Sequence, residues 1–412
     1  MPRNEVGTVG RGSARVRAMI RIFALLFFLV TLPLRAAVDL GIDVLKAQGF
    51  APLAGKRVGL VTNQTGVDSS GTKTRLILKK APGVQLVALY SPEHGIDGTV
   101  GAGKYVATRK DAATGLTVYS LYGPTRKPTP EMLRGIDVLV YDMQDIGVRS
   151  YTYVSTMAKC MEACGEQKIP FIVLDRPNPL GGTRVEGPGI EDKWKSFVGQ
   201  LPVPYLHGMT VGELAKMANA HGWAGSKCQL TVVPMQGWTR DMTWQRTGLH
   251  WVQTSPNIPR AASVPYYAAT SIFGSLEGAA LDVGIGTDAP FQCAGKCGLD
   301  SAAFVRELQS CGLRTAEPYS RKEFAGARLN LSADSAVNLA AVNIQLLCAA
   351  QKFSRGSIFA RYHDADNILW KIYGSTSLRT QIEKGVSAAA IVAGWQPVAD
   401  HFRSARQAYL LY

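Results

Sequence analysis

Four apolar runs in this chain each end in residues able to move protons or bind sugar hydroxyls. The first closes on Asn63-Gln64-Thr65, the second on Ser91-Pro92-Glu93-His94-Gly95 and the third on Asp142-Met143-Gln144-Asp145. The fourth closes on Asp175-Arg176-Pro177-Asn178-Pro179, with Glu186 shortly after. Asp and Asn at such places often cap a helix or make turns, and Asp175 and Asn178, flanked by prolines, suit that use as well as ligand binding. Glu93 differs, because it caps no obvious helix and stands beside His94, a pairing fit to give or take a proton in a concave site.

Glycoside hydrolysis generally uses two carboxyl groups, one protonating the leaving oxygen and the other acting as base, nucleophile or cation stabiliser. Glu93 suits the first role, with His94 beside it. Glu186, Asp142 and Asp145 are open for the second, with Glu186 favoured because Arg184 and the Gly187-Pro188 turn would hold it rigidly. A third route lets the N-acetyl group of an amino sugar attack its own anomeric carbon while an Asp or Glu orients it. Other chemistries fit less well. Gly98 to Lys104 resembles a phosphate loop, but Tyr105 stands where a magnesium-binding Ser or Thr is required and no strand directly precedes it. No G-x-S-x-G elbow is present. A metal site from His94, Asp97, Asp142 and Asp145 lacks paired-His or H-E-x-x-H spacing, so no metal and no cofactor are expected.

These residues need a scaffold that brings strand ends together. The runs Arg57–Thr62, Gln85–Tyr90, Asp137–Tyr141, Pro170–Leu174 and Gln229–Val233 are apolar on consecutive positions, as strands of a parallel sheet buried on both faces are. Helices are expected between them over Thr72–Lys80, Glu131–Arg134, Tyr151–Glu166 and Val211–Ala220, the last with Thr210 and Glu213 as a capping box and Gly222 as its stop. The class is α/β, and in an open parallel sheet the ligand lies beyond the carboxyl ends of the strands, where the polar residues fall. With roughly 100–200 residues per domain, the length suggests two: a sheet domain over 38–237 and a smaller α+β domain over 238–412, with helices at Ala302–Ser310, Leu378–Lys384 and Ser387–Ala393.

Residues 1–37 read as a secretory signal peptide: Arg11, Arg15, Arg17 and Arg21 precede the apolar run Ile22 to Leu32, and small Ala36 and Ala37 follow. That run is shorter than the roughly 20 residues that span a bilayer, so stable membrane insertion after cleavage is not expected. The mature chain would be periplasmic or extracellular. Its net charge falls from +14 to +9 as six Arg and one Glu leave. Positive charge favours acidic partners, but the basic residues form no dense block or aromatic-interleaved stripe, which disfavours nucleic acid and favours acidic glycans. The seven cysteines include Cys293 and Cys297 in a Gly-rich stretch, the better disulfide candidates, with Cys311 as a further partner.

Leu60-Val61-Thr62-Asn63, Ser91 to Gly95, Ser120-Leu121-Tyr122-Gly123 and the run from Tyr141 to Tyr153 carry a resemblance. So do Val173 to Pro179, Val185 to Pro188, Ser196 to Gly199, His207 to Ala215 and Ser255 to Pro259. Together they resemble the NamZ-type exo-β-N-acetylmuramidases, a match running from Leu40 to about Phe291 and fading beyond Lys322. The resemblance implies a Rossmann-like domain followed by a smaller domain, with the active cleft between them. It also implies release of N-acetylmuramic acid from the non-reducing ends of peptidoglycan fragments, with Glu93 catalytic. Substrate binding would then fall to Asn63, Asp142, Gln144, Asp145, Arg149, Tyr151, Asp175, Arg176, Asn178 and Asn257. Arg149, Arg176 or Lys104 would meet the lactyl carboxylate, and Tyr151, Tyr153 and Trp251 would stack on the sugar. The stretch Leu281 to Thr287 departs from the family, and Ala289 and Gln292 stand where Arg and Glu are expected. That loop makes a muropeptide-binding protein with weakened turnover the alternative.

Overall fold

The computed structural model describes Met1, Asn4, Glu5, Gly7 and residues 38–276, 281–322, 324–360 and 367–412. The Arg-rich and apolar leader from Arg11 to Ala37 lies outside them. No helix among the described residues is long and apolar enough to cross a membrane.

The apolar runs become strands within one or two residues of their expected bounds. β1 (Arg57–Thr62), β2 (Gln85–Ser91), β3 (Arg109–Lys110), β4 (Thr117–Ser120), β5 (Val138–Asp142), β6 (Phe171–Leu174) and β7 (Leu230–Val233) form one sheet in the order β3-β4-β2-β1-β5-β6-β7. All neighbours are parallel except β3, which pairs antiparallel with β4 at the edge. Four helices accompany them: α1 (Gly41–Ala47), α2 (Thr74–Lys80), α3 (Tyr153–Gln167) and α4 (Val211–His221). Alternate strand residues serve opposite faces. Val58, Leu60, Leu86, Val140 and Ile172 share a core with Ile42, Leu45 and Leu78 of α1 and α2. Val61, Tyr90, Leu139, Tyr141 and Phe171 share the other with Met157 and Met161 of α3 and Leu214 of α4. Both faces are therefore covered over the central strands β1, β5 and β6, which is why those runs carry no polar alternation.

Local signals hold where they are strong. Thr210 Oγ1 accepts from Glu213 N at 3.2 Å while Glu213 Oε2 accepts from Thr210 N at 3.0 Å, and Gly222 at φ 69° ends α4. Glu131–Arg134 forms turns instead of the expected helix, since four residues close too few i to i−4 bonds to outweigh nucleation.

The second half is α+β. β8 (Leu281–Asp282), β9 (Cys293–Cys297), β10 (Ala316–Arg321) and β11 (Phe324–Leu329) make an antiparallel sheet in the order β10-β11-β9-β8. Around it lie α5 (Val264–Gly274), α6 (Ser301–Ser310), α7 (Leu339–Lys352), α8 (Ile368–Tyr373), α9 (Ser377–Glu383), α10 (Ala388–Ala393) and α11 (Gln396–Ala405). The helices α5 and α7 escape a reading by period because they are buried on nearly every side, from Val264 to Phe273 and from Leu339 to Ala350.

The disulfide expected between Cys293 and Cys297 is not formed, and no cysteine is paired. The two occupy opposite ends of β9, about 13 Å apart at strand rise, too far for a bridge. Cys160 and Cys164 are buried in α3, and burial raises both thiols.

Candidate active site

The sheet order sets the location of the site. Strand β1 lies between β2 and β5: the chain moves outward to β2 and β4, then returns to β5, β6 and β7. The carboxyl ends of β1 and β5 therefore flank a topological switch point, where such folds bind ligands. Asn63 and Gln64 follow β1, and Gln144 and Asp145 follow β5. Four buried polar atoms here, Asn63 Nδ2, Gln64 Oε1, Gln144 Oε1 and Asp145 Oδ2, have no partner among the described residues. Buried polar atoms are overwhelmingly paired in folded proteins, so a cluster of exceptions marks a place built for something else to bind.

Glu93 sits next to this point, 7% exposed. Its Oε1 accepts from the Gly103 amide at 2.7 Å and its Oε2 from the Thr152 hydroxyl at 2.8 Å, which fixes the carboxyl in one orientation. Gly103 belongs to the Gly-rich loop and Thr152 to the turn entering α3. Sequence reasoning missed Thr152, although it lies inside the Tyr141–Tyr153 motif. Tyr122 is also beside the carboxyl: burial raises its phenol, the Glu93 charge adds to that, and Arg126 opposes it.

His94 holds the loop through one of its ring nitrogens. Its φ is 70°, and Nδ1 lies 2.7 Å from the Val100 carbonyl. A carbonyl only accepts, so Nδ1 carries the hydrogen. That bond ties down residues 95–103, which bring the Gly103 amide to Glu93.

Tyrosines join Glu93 to Asp145. The Tyr151 ring is 4.8 Å from Tyr153 and 5.8 Å from Tyr267 of α5. Glu93 acts electrostatically on Tyr153 and Tyr267, and Asp145 acts on Tyr151, so the two carboxyls flank one aromatic cluster to which the second half of the chain contributes. The segment 253–254 crosses the same place. Tyr151 donates to Thr254 Oγ1 at 2.9 Å, Tyr153 donates to the Thr254 carbonyl, and Gln64 Nε2 reaches the Gln253 and Thr254 carbonyls at 2.8 and 3.0 Å. Asp145 Oδ1 accepts from the Gly147 amide at 2.7 Å. Burial pushes its carboxyl up to about 7, only partly offset by the Gly147 and Ile146 amides.

Several expected ligand-binding residues are committed elsewhere. Glu186 is a correction: Oε1 takes Arg184 at 2.6 Å and Oε2 takes the Leu339 and Ala340 amides at 2.7 and 3.4 Å, so it caps α7. Arg149, 1% exposed, spends its guanidinium on the carbonyls of Pro188, Val203, Ile372 and Tyr373 at 2.7–2.9 Å. Arg176 clasps Asp142 through Nε and Nη2 at 2.6 and 2.9 Å, and Thr74 Oγ1 donates to Asp142 Oδ2 at 2.5 Å. Asp175 accepts from Thr210 and Tyr412, each at 2.7 Å, and from the Gly212 amide at 2.8 Å, anchoring α4. Asn178 accepts from the Leu180 amide at 3.0 Å and donates to the Met209 carbonyl at 3.1 Å, holding a turn. Each of these is engaged by partners within the protein.

The remaining residues keep freedom at the switch point. Asn63 Oδ1 takes the Thr65 amide at 2.9 Å and Gln144 Nε2 donates to the Asp145 and Pro177 carbonyls at 2.7 Å, which leaves the opposite end of each amide unpaired. Tyr151 is 7% exposed, and Asn257 is half-buried in the turn closed by the Ile258 amide and the Ser255 carbonyl. Trp251 packs edge-on against Trp244 at 4.8 Å. Among the described residues no three His, Cys, Asp or Glu side chains gather closely enough to hold a metal ion; Asp97 pairs with Arg75 and Arg109 instead.

Comparison with known proteins agrees over nearly all of residues 58–412. A family model for the N-terminal part of the exo-β-N-acetylmuramidase NamZ matches residues 58–262, and one for its C-terminal part matches residues 266–412. The second match corrects the expectation that the pattern fades beyond Lys322. The peptidoglycan β-N-acetylmuramidase NamZ of Bacillus subtilis (strain 168) is 39% identical over 389 residues, covering 91% of each chain. A crystal structure of a DUF1343 family protein from Bacteroides fragilis NCTC 9343 superposes with a TM-score of 0.84 at 40% identity, covering 92% of this chain and all of that one. A second such protein from the same organism gives 0.64 at 28% identity, covering 91% and 99%.

Proposed function

The chain belongs to the NamZ family of exo-β-N-acetylmuramidases, and from that premise we propose that it releases N-acetylmuramic acid from the non-reducing ends of peptidoglycan fragments with Glu93 as general acid/base. The observation that carries this reading is the Glu93 carboxyl held between Gly103 and Thr152 beside a switch point with unpaired polar atoms. A carboxyl fixed this way meets a glycosidic oxygen without reorganising, which is what general acid catalysis requires.

Asp145 replaces Glu186 as the second carboxyl. Its Oδ2 is unpaired, while Glu186 forms an ion pair with the Arg184 guanidinium, a partner of opposite charge that neither Asp145 nor Glu93 has among the described residues. A carboxyl that titrates near neutrality can accept the acetamido N–H of the sugar or stabilise cationic character at the anomeric carbon. The unpaired ends of Asn63 and Gln144 serve the sugar hydroxyls. The leader at residues 1–37 supports export to the periplasm or cell exterior, where the polymer is found.

The test is turnover of a chromogenic β-N-acetylmuramide. Wild type releases the chromophore, and Glu93→Gln lowers the rate by about 10²–10⁴-fold with the fold intact by circular dichroism. A mutant at wild-type rate overturns the assignment of Glu93. Binding of muramic acid with no turnover by the wild type would instead favour the muropeptide-binding reading that the 281–292 loop suggested.

A further inference from the structure

The two arginines expected to meet the substrate carboxylate are buried and engaged by protein partners, yet the site is not without a suitable cation. Loop 121–128, which follows β4, places Arg126 next to Tyr122, the phenol beside Glu93. The Arg126 Cζ lies 4.2 Å from the Tyr122 ring centroid and 4.5 Å from that of Phe197. The two ring centroids are themselves 5.8 Å apart. The two rings thus meet the guanidinium from adjacent directions rather than from opposite faces, and the two cation–π contacts limit its movement.

The side chain is exposed, and it forms no ion pair among the described residues. Its loop is pinned. Thr125 Oγ1 closes a turn on Lys127 through bonds of 2.6 and 3.1 Å, and the Lys127 ammonium reaches Glu162 and Glu166 of α3 at 3.1 and 2.8 Å. A charge so held keeps its direction without a carboxylate of the protein to satisfy it. Lys104, next to Gly103, is the rival: it too is exposed and without an ion pair among the described residues, where nothing clamps its ammonium. An immobilised planar fork pays less ordering entropy on meeting a carboxylate than a free four-carbon stem.

We propose that Arg126 binds the lactyl carboxylate of the terminal muramic acid and thereby sets the preference for that sugar over its uncharged analogues, an inference that rests on the muramidase reading above. The contact is a paired N–H···O interaction that needs the carboxylate ionised and free. An amide at that position loses the charge and one acceptor oxygen.

The experiment compares kcat/KM for a chromogenic β-N-acetylmuramide with that for the same sugar whose lactyl carboxylate is a methyl amide. Wild type favours the free acid by about 10- to 100-fold, the range of a hydrogen-bonded charge. In Arg126→Gln the ratio falls to near one, Arg126→Lys lies between, and Lys104→Gln keeps the wild-type ratio. Retention of the ratio by Arg126→Gln, or its loss in Lys104→Gln, overturns the proposal. If wild type cleaves neither sugar, the muramidase reading fails separately. Calorimetry then tests Arg126 alone: N-acetylmuramic acid binding at least tenfold more weakly to Arg126→Gln supports it, and equal binding overturns it.

Discussion

Asp145 and Glu186 look alike in sequence, each a carboxylate after a strand-end turn, and their surroundings give them opposite fates. Glu186 meets one guanidinium and two helix amides, so its charge is fully answered. Asp145 meets the Gly147 amide on one oxygen and nothing on the other. Burial therefore raises it to about 7, and stability acquires a pH dependence. The unfolded carboxyl ionises near pH 4, whereas the folded one holds its proton up to about 7. Its stabilising contribution is fully present below pH 4 and is lost as pH rises through 7. Asp145→Asn cannot ionise, so its Tm relative to wild type should climb between pH 4.5 and 7.5. A difference that stays flat over that range would rule out a neutral buried Asp145.

Elements rather than single residues explain why the polar edge is so crowded. The carboxylates Asp142, Asp175 and Glu186 each tie one element to another: Asp142 joins β5 to α2 through Thr74, Asp175 joins β6 to α4 through Thr210, and Glu186 caps α7. Glu186 places its charge at the positive end of that helix, where an anion is favoured. Replacing it with Gln should cost about 1–2 kcal/mol, because the amides keep an acceptor of lower charge while Arg184 loses its partner. Turnover of the muramide should survive. Denaturant melts read the first expectation and initial rates the second; a collapse of kcat with stability unchanged would restore Glu186 to the chemistry.

At the scale of the molecule, the C-terminal segment returns to the first sheet. Arg406 donates to the His207 and Gly208 carbonyls at 2.8 and 2.7 Å, the Leu411 amide donates to Glu213 at 2.9 Å, and the Tyr412 hydroxyl bridges the Met235 amide and Asp175 at 2.8 and 2.7 Å. The C-terminal segment is thus fastened to the first sheet by backbone and side chain, with Tyr267 of the second half contributing to the Glu93 surroundings. Tyr412→Phe leaves an amide and a buried carboxylate each short of a partner, a loss of about 1–3 kcal/mol. The expected sign is a lower midpoint in urea with an unaltered m-value. No change in midpoint would mean that water replaces the hydroxyl on both groups.

Much of the fold was legible because its causes are local. Consecutive apolar residues mark β1, β2, β5, β6 and β7 as strands, of which β1, β5 and β6 are buried on both faces, and Thr210, Glu213 and Gly222 bound α4 by their own hydrogen bonds. Glu93 stood out by the same local logic, as a carboxylate with no helix to cap. Which of the other charged residues remain available was decided only in three dimensions. Asp142 is taken by Arg176, 34 residues away, Glu186 by Leu339, 153 away, and Asp175 by Tyr412, 237 away. A charge is free or spent according to what lies within about 3 Å of it, and that neighbour is chosen by the packing of the whole chain rather than by the residues beside it. Arg126 shows the converse: nothing in its own segment marks it, and its orientation depends on Phe197, which only the folded chain brings beside Tyr122.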